Sequence, residues 1–346
     1  MQRWTQPMYG FSDHPKPIPL TRLSALRQDS SRYSIGMAGA GSIEQTFDPG
    51  VRRLTLPMPT GPRHVHCYLV RGDEGWTLVD TGLGLGDWPA LPERVDRIFV
   101  THMHPDHVGG AERAAAATGA PVHQGRLDYA QCERVWGSDD WPERIGDWFG
   151  RNGVPDEILR DLLENGHVYA SFIRFAWNPE PVEPGDAIDG WEVVATPGHA
   201  DGHLCLYRDG VLIAGDHLLQ RITPAVGLYP ESRPDPLADY LDSLRRTVDL
   251  DPRIAYPGHG DPVERPADRA RELIEHHRRR LEQTAAALDG EPRSGFDLSQ
   301  ELFGGELTPT QRRFAVAETL SHLERLVAEG AAARDGDDRC ILYTAP

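Results

Sequence analysis

The sequence predicts an α/β protein: a strand-rich core with a helical insert and a small helical segment at the C-terminus. Three observations predict it. From Val51 onward, short apolar runs alternate as strands do and end on glycine turns. One of these runs, Arg97-Ile98-Phe99-Val100, passes through a tight turn into an Ala-rich run, Val108 to Thr118, that reads as a helix closed by Gly119. After Pro266 the period changes to that of long amphipathic helices. At 346 residues the chain is long enough for two domains. Composition is that of a globular protein, 39% hydrophobic and 26% charged, and no apolar run approaches the length of a membrane span.

Residues 1–48 are rich in Pro, Ser and Gly and read as a poorly packed arm. The segments 51–57, 64–70 and 76–80 read as strands, with a turn at Gly72-Asp73-Glu74-Gly75. His64 and His66, two apart on one strand face, have a chelating spacing but read as a pocket wall or as plain strand residues. Thr81 to Gly86 looks like a phosphate loop, yet no helix carrying a Lys or an acidic ribose partner follows, so a glycine turn is the better reading.

The chemistry is concentrated after the strand at 97–100. His102, His104, Asp106 and His107 fall within six residues, and Pro105 suits the first position of a helix because it lacks an N–H. Four such side chains on one strand-to-helix turn can converge on a point, and imidazoles with a carboxylate suit a divalent cation such as zinc. Three more strand ends carry the same residue types. Trp191 to Thr196 leads into Pro197-Gly198-His199 and on to His203, Val211 to Ala214 leads into Gly215-Asp216, and Arg253 to Tyr256 leads into Pro257-Gly258-His259. Each follows a small-residue turn.

The pattern His102-x-His104-x-Asp106-His107, followed in order by His199, Asp216 and His259, resembles the signature of the metallo-β-lactamase-fold hydrolases. The resemblance covers roughly residues 51–346. It implies a four-layer αββα sandwich over 49–265, a helical insert near 125–180 and a winged-helix-like domain over 266–346. It also implies two Zn(2+) ions, with Fe or Mn as substitutes. One ion takes His102, His104 and His199, the second takes Asp106, His107 and His259, and Asp216 bridges them. Asp80, in the Asp-x-Gly element, and His203 then support the ligands without binding metal. Position 216 carries Asp where the main zinc β-lactamases carry Cys, and position 104 carries His where the di-iron flavoprotein relatives carry Glu. The pattern is most similar to glyoxalase II and the lactamase-like endoribonucleases, although the Lys and Arg residues that glyoxalase II uses for glutathione have no clear match. In such a site a metal-bridging hydroxide attacks a carbonyl or phosphoryl centre, with Asp106 or Asp216 holding or shuttling the proton. A thioester is the favoured bond. The alternatives are an RNA or phosphodiester hydrolase on the same ligands and a mononuclear-iron persulfide dioxygenase on part of them.

Residues 125–180 carry nine aromatic side chains, Tyr129, Trp136, Trp141, Trp148, Phe149, Tyr169, Phe172, Phe175 and Trp177, with helical runs near 139–150 and 155–164. They suit an inserted helical layer and a lid over an apolar pocket. Trp177, together with His217 directly after Asp216, is a candidate pocket residue. The C-terminal pattern predicts helices at 268–288 and from Thr308 to Glu329, the second capped by Thr308 and Pro309, and a hairpin of Ala331–Arg334 with Cys340–Thr344. The second helix mixes Arg312, Arg313 and Arg325 with Glu318, Glu324 and Glu329, which is not the clustered basic face of a nucleic-acid reader. The net charge of −17 argues the same way. The expected partner is therefore a small molecule with an apolar portion, not nucleic acid or membrane, and a homo-oligomer is left open. The four cysteines form no C-x-x-C pair and no secretory leader is evident, which fits the reducing cytoplasm.

Overall fold

The computed structural model describes residues 41–59, 62–85, 90–170, 172–337 and 339–346, without the side chains of 164–169 and 337. Residues 1–40 of the expected arm, Gly86 of the glycine turn and the Tyr169 side chain lie outside them.

A seven-stranded sheet runs β1 (Ser42–Gln45), β2 (Val51–Pro57), β3 (His64–Arg71), β4 (Trp76–Val79), β5 (Arg97–Val100), β6 (Val122–Gly125) and β7 (Glu180–Val182), in that spatial order. The pairs from β1 to β4 are antiparallel and those from β4 to β7 parallel. A second sheet contains β8 (Ala187–Ile188), β9 (Trp191–Ala195), β10 (Leu204–Arg208), β11 (Val211–Gly215) and β12 (Ile254–Pro257), with β11 and β12 parallel. The predicted strands agree with these to within a residue or two at each end. β1 lies inside the segment read as a loose arm: its four residues pair with β2. Beside it, buried Asp48 accepts the Tyr256 hydroxyl at 2.6 Å and pairs with Arg253.

Alternation along the strands builds the layers. Tyr68 and Val70 of β3, Phe99 of β5, Leu206 of β10, Ile213 of β11 and Tyr256 of β12 meet between the two sheets. The intervening residues point outward: Cys67, Leu69 and Ile98 into one outer core, Cys205, Leu212 and Ala255 into the other. Each fully buried Leu, Ile or Phe of this kind contributes roughly 1.5–3 kcal/mol. Helices cover both outer faces, giving the four-layer αββα sandwich. On the first face lie α1 (Pro105–Val108), α2 (Ala111–Thr118), α3 (Arg126–Val135), α4 (Trp141–Arg151) and α5 (Asp156–Ala170). On the second lie α6 (Pro236–Leu250) and α7 (Pro266–Ala287).

The helix expected from Val108 is broken at Gly109-Gly110 because the β4 loop packs against it backbone to backbone. Gly110 N–H donates to the Gly82 carbonyl at 3.0 Å, and Thr81 N–H to the His107 carbonyl at 2.8 Å. α6 is a helix that the sequence pattern does not predict, although Asp235 caps it by accepting the Ala238 N–H at 2.9 Å and Pro236 sits in the first turn. The remaining chain forms β13 (Arg293–Ser294), α8 (Gly295–Phe303), α9 (Pro309–Ala328), β14 (Ala333–Asp337) and β15 (Cys340–Thr344), the three strands pairing in the order β13-β15-β14.

α9 starts with a capping box between Thr308 and Gln311. It packs against α5, α6, α7 and α8, and its stretch Ala315–Leu323 is buried throughout. Among its charged residues, Arg312 is committed to Gln300, Arg325 to Asp235 and Glu329, and Glu324 to Arg334 and Tyr343. A helix packed on this many sides is a core element.

Candidate metal centre

The seven expected ligands come from four strand ends and meet at one edge of the sandwich. His102, His104, Asp106 and His107 follow β5, His199 follows β9, Asp216 follows β11 and His259 follows β12. Their donor atoms form the overlapping groups His102–His104–His199, His102–His107–Asp216 and Asp106–His107–His259, each within 4.8 Å.

Backbone and side-chain partners orient the rings. His199 Nδ1 lies 2.7 Å from the Ala225 carbonyl and His259 Nδ1 lies 2.9 Å from the His64 carbonyl. A carbonyl only accepts, so each Nδ1 carries hydrogen and each Nε2 faces the cluster. His107 Nδ1 lies 2.7 Å from Asp80 Oδ2, leaving its Nε2 toward Asp216 at 3.5 Å and Asp106 at 3.9 Å. His203 is fully used elsewhere: Thr196 Oγ1 lies 2.8 Å from its Nδ1, and the Asp216 backbone N–H donates to its Nε2 at 3.2 Å. It therefore holds the Asp216 loop and offers the cluster no free nitrogen. Tyr68 donates to the Pro257 carbonyl at 2.6 Å, pinning the loop that carries His259 to the facing sheet.

Glycines let the loops close. A Cβ on Gly258 would stand 2.6 Å from both Asp216 Oδ1 and His107 Cε1. Gly198 has φ +133° and lies against Tyr240, whose backbone N would be 2.7 Å from an added Cβ.

The cluster has two electrostatic halves. Burial lowers His102, His104 and His199, and neighbouring histidines add to it for His104, which falls to about 3. Their nitrogens nonetheless approach closely, His104 Nδ1 to His199 Nε2 at 2.8 Å and to His102 Nε2 at 3.0 Å. In the other half burial opposes charge, but the carboxylates and imidazoles overcome it. Asp216, Asp80 and Asp106 raise His107; Asp216 and Asp106 raise His259 to about 10; His107 and His259 draw Asp106 down to about 2. Asp216 Oδ1 and His107 Nε2 are buried without a hydrogen-bond partner among the described residues, a condition that costs about 1–3 kcal/mol per group. Neutral imidazole nitrogens crowded together beside orphaned buried acceptors fit divalent cations.

The cluster opens into a cavity of about 280 Å³ with largely apolar walls, among them Trp136, Trp141, Ile145, Phe149 and Phe314. Trp136 Nε1 donates to the Met103 carbonyl at 2.8 Å, tying the insert to the ligand loop. The two pocket candidates from sequence lie elsewhere. His217 is fully buried with its ring 2.7 Å from Thr247 Oγ1, because Tyr240 and α6 enclose it. Trp177 is 58% exposed and packs at a tilt against Phe175, outside the cavity wall. Residues that sequence reading missed include Asp128, whose carboxylate accepts the Met103 N–H at 2.8 Å and which burial pushes up to about 8, and the Ala225 carbonyl, which no side-chain pattern announces.

Comparison with known proteins agrees with this architecture. Residues 60–259 match the metallo-beta-lactamase superfamily and residues 281–345 the metallo-beta-lactamase-like C-terminal domain. The chain is 28% identical over 301 residues to "Probable metallo-hydrolase YqjP" of Bacillus subtilis, covering 80% of this chain and 92% of that protein. It is 26% identical over 223 residues to the atrochrysone carboxyl ACP thioesterase of Aspergillus fumigatus, covering 61% and 55% of the two chains. A crystal structure of a metallo-beta-lactamase family protein from Thermus thermophilus superposes with a TM-score of 0.74 at 35% identity, over 87% of this chain and 100% of that one. With its sandwich, its converging histidines and aspartates and these matches, the chain belongs to the metallo-beta-lactamase superfamily.

Proposed function

We propose that this protein is a dinuclear-metal hydrolase that cleaves a small ester-like bond, with a thioester as the favoured substrate. The observation that carries the reading is the pair of donor groups, His102–His104–His199 and Asp106–His107–His259, with Asp216 between them at the mouth of an apolar cavity. Asp216 Oδ2 lies 3.6 Å from His199 Nε2 and 3.5 Å from His259 Nε2, the placement expected of a shared ligand. Zinc suits the mixed imidazole and carboxylate donors.

Metal ions held there would supply a Lewis acid for the scissile carbonyl and bring a water's pKa toward neutrality. The chain's own groups do the rest. Asp106 Oδ2, 3.1 Å from His259 Nε2, is placed to take a proton from the attacking water and return it to the leaving group. Asp80 and His203 keep His107 and the Asp216 loop in register. The apolar wall orients an acyl or aryl group and keeps bulk water out. The relative named as an ACP thioesterase supports the thioester preference. The domain boundaries belong to the same proposal: a hydrolase domain over 49–265 and a winged-helix-like domain over 266–346, whose helix α9 helps to wall the cavity.

The test is metal analysis of the purified protein with a panel of acyl thioesters, lactones, a chromogenic β-lactam and a bis-aryl phosphodiester. About two zinc per chain with thioester or lactone turnover, lost in His104→Ala, is the expected result. One iron per chain without hydrolysis overturns the reading.

A further inference from the structure

We propose that Arg313 is an anion-recognising residue of the cavity, so that the substrate carries a carboxylate or phosphate in addition to the bond that is cleaved and the apolar group beside it. The proposal deepens the hydrolase reading and rests on it for the word substrate; the anion site itself rests on the cavity alone.

Among the described residues that line the cavity, Arg313 is the only arginine or lysine. It projects from the first turns of α9, with its guanidinium 5.4 Å from the centre of the Tyr229 ring. That cation–π contact holds the group in place. Its Nε is buried without a hydrogen-bond partner, and no carboxylate among the described residues pairs with it. The carboxylates that line the same cavity are engaged elsewhere. Glu231 pairs with Arg144. Asp201 accepts Gln131 Nε2 and the Arg233 N–H, both at 2.8 Å. Asp106 and Asp216 face the histidines. In a chain of net charge −17, where acids outnumber bases, a cavity arginine left without an acid is a site kept for an external anion. The planar guanidinium suits the two oxygens of a carboxylate or phosphate, and the apolar surroundings strengthen the attraction over its value in water. A cavity with histidines and carboxylates at one part of its wall, aromatic rings along it and one arginine selects a ligand with three corresponding parts.

The test is isothermal titration calorimetry on the full-length protein as purified, with 3-phenylpropionate, phenyl phosphate and the neutral 3-phenylpropionamide as probes. The expected result is that at least one anionic probe binds at least tenfold more tightly than the amide, and which anion wins identifies the group. Arg313→Gln removes that preference, Arg313→Lys keeps part of it, and His104→Ala leaves it in place. An unchanged preference in Arg313→Gln, its loss in His104→Ala instead, or no binding of any probe overturns the proposal. Far-ultraviolet circular dichroism of both Arg313 variants checks that they fold. Failure of the hydrolase reading shows separately, as absence of turnover in the wild-type protein with the Arg313-dependent anion preference intact.

Discussion

Asp80 Oδ2 sits 2.7 Å from His107 Nδ1, while the same carboxylate accepts the Thr101 N–H at 2.8 Å. One side chain at the end of β4 thus orients a ring at the metal centre and fixes the first residue of the ligand turn after β5. Its backbone is in the left-handed region, φ +63°, which an Asp tolerates better than most residues. Supporting carboxylates of this kind are worth roughly ten- to a hundredfold in metal affinity. Asp80→Ala is therefore expected to lose metal affinity by that factor while the fold persists. Metal titration against a chromogenic chelator measures it; wild-type affinity in the variant would show that His107 needs no such partner.

Gly258→Ala places a methyl group 2.6 Å from Asp216 Oδ1 and His107 Cε1. Both atoms belong to the packed centre, so the added carbon displaces a ligand and not a flexible chain end. Hydrolytic turnover is expected to fall by at least tenfold and bound metal to drop below the wild-type content. Steady-state kinetics with metal analysis of the same sample would contradict this if both matched wild type.

Phe149, 1% exposed, belongs to the core that the insert shares with α8 and α9, whereas Trp177 is 58% exposed. Phe149→Ala is expected to destabilise the protein by about 3–5 kcal/mol, and Trp177→Ala by no more than about 0.5 kcal/mol. Urea denaturation ranks the two, and a reversed ranking would refute this packing.

Glu318 on α9 is buried, and burial raises it from 4.5 to about 7 against the opposing pull of Arg280. Its Oε2 has no hydrogen-bond partner among the described residues. The folded state keeps the proton where the unfolded state has released it, so this group's contribution is complete below about pH 4.5 and is lost as pH rises toward about 7. At about 1.4 kcal/mol per pH unit the loss is on the order of 3 kcal/mol. Glu318→Gln should flatten that part of the stability profile between pH 5 and 8. Denaturation midpoints that fall equally in variant and wild type would rule out Glu318 as the source.

The sequence by itself did not mark the short strands β6, β7, β8 and β13, but it determined the strands from Val51 to Asp80 and those that lead into the histidines and aspartates, together with the long helices α7 and α9. These are local properties: period two or 3.6, a glycine or proline at a turn, a cap three residues before its partner. The motifs His102-x-His104-x-Asp106-His107, His199, Asp216 and His259 carry the family resemblance, and that resemblance implied both the seven side chains and the sandwich. Tertiary structure alone decided what completes the site. The carbonyls of Ala225 and His64 set two histidine tautomers, but a backbone oxygen has no residue identity to read. His217 stands next to Asp216 in sequence yet turns into the α6 layer, since adjacent residues beyond a strand face opposite ways. Arg313, which as sequence is one charge in a mixed helix, becomes the basic group of the cavity only when α9 packs beside Tyr229. Local periodicity specifies elements; which side chains share a cavity depends on contacts between residues from 26 to 195 positions apart, and no local pattern encodes those.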